Sequence, residues 1–109
     1  MKFTNVANAN MTSLKGEFPI TYAELVEIFG RPNYGPNDYN LDKVTCEWML
    51  EFEDGTKASI YDYRTSSTPM GEYEWHIGGH DALAYTHIVD TIIQHRDKLV
   101  KMVREYQSL

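Results

Sequence analysis

Val44-Thr-Cys-Glu-Trp-Met-Leu-Glu-Phe-Glu-Asp-Gly-Thr-Lys-Ala-Ser-Ile-Tyr-Asp-Tyr63 is the stretch that decides the fold. From Val44 to Phe52 the residues alternate. Val44, Cys46, Trp48 and Leu50 fall on one side, and Thr45, Glu47, Met49 and Glu51 on the other. A period of two is the mark of a half-buried strand. Glu53-Asp-Gly-Thr56 reads as a hairpin turn, because Asp54-Gly55 accommodates positive φ. Lys57 to Tyr63 returns as a second strand, with Ala58, Ile60 and Asp62 opposite Ser59, Tyr61 and Tyr63.

Downstream, residues 64–72 are a polar connection, and Tyr73 to Ile77 reads as a third strand. Gly78-Gly79 then reads as a tight strand-to-helix turn. Asp81 caps a final helix that runs to about Gln107, with Tyr85, Ile88, Val89, Ile92, Leu99, Val103 and Tyr106 at three-to-four spacing. A helix over 81–107 spans ~40 Å, more than the width of so small a domain. Either it breaks near Gln94-His-Arg-Asp97, or its second half packs on another subunit. Ile93, Val100 and Met102 broaden its apolar stripe, so a homodimer or higher homo-oligomer is expected.

Upstream, Thr21-Tyr-Ala-Glu24 matches a capping box, with Ile20 and Leu25 as a hydrophobic staple. The short helix buries Leu25, Ile28 and Phe29, and Gly30 and Pro32 end it. Residues 31–43 form a long loop that holds Tyr34 and Tyr39. Residues 12–20 are an extended segment, and residues 1–11 are a loose arm or a short edge strand. The expected fold class is α+β. It is a single domain over 1–109, with a small antiparallel meander of three to four strands, a short N-terminal helix and a long C-terminal helix.

Composition narrows function. With 16 acidic and 10 basic residues the net charge is −6, which disfavours binding to a nucleic-acid backbone. No apolar run reaches the ~20 residues that span a bilayer, and the N-terminus lacks a signal-peptide core. A cytoplasmic location is expected. The single cysteine, Cys46, excludes an internal disulfide, and mid-strand it reads as inert core. No cofactor is expected. No phosphate loop, dinucleotide fingerprint, nucleophile elbow or H-E-x-x-H pattern is present, so no catalytic or metal-binding residue is assigned. Glu74 or His76 as an acid or base is the least favoured reading.

Tyr73-Glu-Trp-His-Ile-Gly-Gly-His-Asp81 carries the candidate ligand site. Gly78, Gly79 and His80 at a helix start would present amides to a phosphate. Arg64 would neutralise it by bidentate contact, and Trp75, His76, Tyr61 or Tyr63 would stack on a base. The plain alternative is a turn with no ligand. Glu47, Glu51, Glu53, Asp54, Asp62 and Glu74 would form an acidic sheet face.

Leu25-Val-Glu-Ile-Phe-Gly-Arg-Pro32, Val44 to Gly55, Ile60-Tyr-Asp-Tyr63 and Trp75-His-Ile-Gly-Gly79 together resemble a family of small accessory proteins of tailed bacteriophages. The resemblance covers roughly residues 12–90, and no catalytic residue carries over from it. It implies action in the host bacterial cytoplasm against bacterial immunity. The first expectation is a non-enzymatic protein that sequesters a nucleotide-derived signal, of cyclic-nucleotide or ADP-ribose type. The second is an inhibitor that binds a host defence protein through the acidic face and the Tyr34–Tyr39 loop. The third is a small enzyme acting on a nucleotide.

Overall fold

Alternation along the hairpin governs the architecture. In the computed structural model, which describes residues 1–9, 12–36, 38 and 43–109, the hairpin strands are β3 (Glu47–Phe52) and β4 (Lys57–Tyr61). With β5 (Tyr73–Gly79) they form the meander. Two N-terminal strands extend it to five. β1 (Phe3–Asn5) pairs antiparallel with β3, and β2 (Ser13–Ile20) pairs antiparallel with β5. The order is β1-β3-β4-β5-β2, so the first two strands hold both edges. Residues 3–5 thus take the edge-strand alternative, not the loose arm. The extended segment at 13–20 is a full member of the sheet.

Both helices lie on one side. α1 (Tyr22–Phe29) buries Leu25 and Phe29, and α2 (Ala82–Gln107) buries Ala84, Ile88 and Ile92. Between helices and sheet sit Trp48, Leu50, Phe52, Ile60, Trp75 and Ile77. Trp48 and Trp75 meet edge to face at 5.7 Å, and the Trp48 Nε1–H donates to the Gly30 carbonyl at 2.8 Å. Such a pair contributes ~1 kcal/mol beyond its buried area. Glycine lets the layers touch. A Cβ on Gly79 would lie 2.2 Å from the Ala84 Cβ, and one on Gly16 would lie 2.5 Å from the Tyr85 ring.

Half of the capping box forms. The Thr21 hydroxyl accepts from the Glu24 amide at 3.2 Å. The Glu24 carboxylate turns instead to α2, where Arg96 donates to both oxygens at 2.8 and 2.9 Å. A bidentate guanidinium outcompetes a single amide for a carboxylate. His95 lies 3.5 Å from Glu27, so two contacts clamp α1 to the middle of α2.

α2 is continuous over 26 residues, with no break at Gln94–Asp97. Beyond Arg96 it runs past the sheet. Leu99, Val100, Met102, Val103 and Tyr106 are exposed there, and the molecule is 50 Å long but 21 Å thin. No helix among the described residues is long and apolar enough to cross a membrane.

The Val6 amide bonds the Met49 carbonyl, and Leu14 pairs with Gly78, whose other neighbour Ser59 pairs with Met49. Both ends of the connection from β1 to β2 therefore lie at one level of the sheet, on opposite edges. At ~4.8 Å per strand the two edges stand about 19 Å apart. Ser59 and Gly78 are buried on the helix-free side of the sheet, and Ala9 is buried as well.

Candidate functional site

Asp62, just past β4, builds the site from beneath. Its carboxylate is fully buried and accepts from the Thr45 amide (2.8 Å), the Cys46 amide (3.1 Å) and the hydroxyls of Thr45 and Thr65 (both 2.5 Å). The Thr45 hydroxyl also meets that of Thr68 at 2.6 Å. Asp62 is therefore withdrawn from the expected acidic face. A buried carboxylate persists only when its lone pairs are satisfied, and this one ties three chain segments together. The next residues turn sharply. Arg64 sits at φ 55°, a left-handed conformation costly for arginine, and its amide bonds the Lys43 carbonyl at 2.7 Å. The turn brings the Arg64 guanidinium over the Tyr63 ring at 5.4 Å.

Cross-strand register sets one row on the helix-free face: Glu47, Tyr61, His76 and Glu17. His76 stacks on Tyr61 at 5.4 Å with the planes 26° apart, and its Nε2 lies 3.5 Å from Glu17. Tyr63 and Tyr73 stand 6.0 and 6.1 Å from the same imidazole, and the Tyr73 hydroxyl accepts from the Tyr63 amide at 3.3 Å. Burial raises the Glu47 carboxyl above its usual range, and the Asp62 charge adds to this. Burial also raises the Tyr61 phenol, with Glu47 next in effect. Glu47 and Tyr61 therefore hold their protons more tightly than exposed groups of their kind do. Ser59 Oγ and His76 Nδ1, both buried at this face, have no hydrogen-bond partner among the described residues.

The expected ligand site is thus divided. Tyr61, Tyr63, Arg64 and His76 come together. Trp75 does not: as the neighbour of His76 in a strand it points to the opposite face, and it is fully buried against Trp48. The turn assigned to Gly78-Gly79 is corrected as well. Both residues belong to β5, and β4 and β2 flank them, so their amides face neighbouring strands and form no anion cradle. The α2 start is satisfied by Asp81, whose carboxylate accepts from the Leu83 amide at 2.8 Å. His80 lies at the other end of β4, by the hairpin tip. There it lines a cleft of about 330 Å³ with Asp54, Lys57 and Leu83. A larger cleft of about 410 Å³ lies at Tyr22, Arg31, Pro32, Asn33 and Asp38, away from the aromatic cluster. Tyr34 bridges to Glu47, whereas Tyr39 lies outside the described residues.

Sequence reasoning missed Glu17 as a member of the row. The signal was present: Gly16, Phe18 and Ile20 alternate with Glu17 and Pro19. Among the described residues no group of three or more His, Cys, Asp or Glu is placed to hold a metal. No family model, curated protein or solved structure matches the chain.

Proposed function

We propose that this is a non-enzymatic binding protein that docks on a basic, partly apolar surface of a partner protein through the Glu47–Tyr61–His76–Glu17 row. The observation that carries the reading is Glu47. A carboxylate held half-buried, with its charged form disfavoured, opposes stability where it stands, and binding surfaces keep such groups. Glu74 adds charge beside the row, and Tyr61, Tyr63 and Tyr73 add amphipathic contact area suited to interfaces. The resemblance to phage accessory proteins supplies the setting: a host defence protein, met in the bacterial cytoplasm. Affinity capture from bacterial lysate tests this. A partner held by the wild type should be lost with Glu74→Arg plus Glu17→Arg, and retained with a distant Lys101→Glu control. A partner held equally by all three overturns the reading.

One observation favours a second reading, sequestration of a nucleotide-derived signal. Tyr61, Tyr63 and Tyr73 surround a stacked imidazole, with Arg64 beside them as the charge for a phosphate. Thermal-shift titration with cyclic di- and trinucleotides and ADP-ribose decides it. At a hundredfold excess over the dissociation constant a ligand adds ~2.7 kcal/mol. Arg64→Ala should abolish that shift.

A further inference from the structure

We propose that the overhanging half of α2 pairs, antiparallel, with the same segment of a second copy of this chain. No described residue covers the apolar side chains there, and Val100, Met102 and Val103 are each more than half accessible. Leu99, Val100, Val103, Arg104 and Gln107 line a shallow groove along it. Ile93, Val100, Val103 and Gln107 fall on the alternating three-four spacing of a two-helix seam, with Arg96, held by Glu24 of α1, between the first two.

The flanks of that seam choose the partner and its direction. Asp97 and Arg104 lie together on one flank, and Leu99 and Tyr106 on the other. Asp97 and Arg104 are seven residues apart, ~10.5 Å along the axis, so they do not reach each other within one helix. Neither has an ion pair among the described residues. In a parallel pair the charged flank would face the apolar one, which strands both charges against Leu99 and Tyr106. In an antiparallel pair each flank faces its own copy. Asp97 then meets Arg104 of the second copy twice by symmetry, Leu99 meets Tyr106 twice, and Val100 packs on Val103. The pattern is self-complementary in that arrangement alone, as an isologous two-fold interface requires.

The area sets the strength. About three turns of paired helix bury less than the roughly 800 Å² per partner of a standard stable interface. The dimer is therefore a small-interface, reversible one. It is independent of the proposed partner surface, which lies on the far side of the sheet.

Sedimentation equilibrium over a concentration series tests the pairing. The wild type should reach a dimer. Asp97→Arg and Arg104→Asp should each weaken it by about tenfold or more, because each sets like charges together twice. The double variant D97R/R104D should recover most of the wild-type affinity, and Val103→Glu should be monomeric. All three positions are exposed, so circular dichroism should show the fold unchanged. A wild type that stays monomeric throughout overturns the proposal. So does a dimer indifferent to Val103→Glu, or a double variant no tighter than the singles.

Discussion

Asp62 and the two tryptophans show how single side chains decide this molecule. Asp62→Asn would replace an acceptor of four hydrogen bonds with a group that must donate at one oxygen's place. A loss of about 3 kcal/mol, read by urea denaturation, is expected, since bonds to charged groups contribute more than neutral ones. Trp48 and Trp75 are both fully buried; the Trp48 N–H is bonded, whereas Trp75 Nε1 has no partner among the described residues. Trp48→Phe strands the Gly30 carbonyl, whereas Trp75→Phe removes an orphan donor. Trp48→Phe should therefore be the more destabilising by about 1–2 kcal/mol in the same assay. Cys46 has its thiol pushed up to about 12, chiefly by burial, so a thiol reagent should label it only on unfolding. Its core position was legible in the alternation of β3. Trp75 was legible too, since period two sets it with Tyr73 and Ile77, yet its adjacency to His76 suggested a shared surface. The carboxylate of Asp62 lay beyond sequence reading, because its partners come from residues 45, 46 and 65.

At the scale of elements, close approach explains what local pattern did not. Gly78-Gly79 reads as a turn because glycine breaks strands on average. Here the pair continues β5, because Ala84 of α2 and Ser59 of β4 leave no room for a side chain. Gly79→Ala should destabilise by about 1–3 kcal/mol through overpacking, measured as a lowered denaturation midpoint. The helix starts at Thr21 and Asp81 were legible from their caps, and both side chains cap as expected. The edge positions of β1 and β2 were not, since strand order depends on partners far along the chain. Acid should loosen two helix contacts. Glu24 is lowered by its Arg96 hydrogen bonds, and Asp54 is held at about 2 by the Thr56 amide and then by His87, against an ordinary 3.8. For a carboxyl depressed in the folded state, the stabilisation is full above the unfolded value and fades as pH falls through the folded one. Unfolding scans from pH 5 to pH 2 should show stability falling, and Glu24→Gln should flatten the upper part of that decline.

For the molecule as a whole, charge opposes stability on the helix-free face. Glu47 is raised in the folded state, so the unfolded chain gives up this proton more readily, and folding loses stability as pH rises above the ordinary value. Glu47→Gln should raise the melting temperature at pH 7 and leave it nearly unchanged at pH 4. The α+β class and the succession of elements were readable from periodicity and turn chemistry. The site was half readable, because residue types reveal stacking and charge but not which face a sheet neighbour covers.

The edge strands also set an order of events in time. β1 and β2 are synthesised first but pair last: Phe3 awaits Phe52, and Ser13 awaits Gly79. Such distant pairings must close long loops before any contact rewards them, which slows folding. On the ribosome, residues 3–20 emerge with no partner strand, and they stay open until the end of β5 has followed. Both borders of the sheet are thus sealed by one short segment, late and nearly together, and until then β3 and β5 each keep a side exposed to other chains.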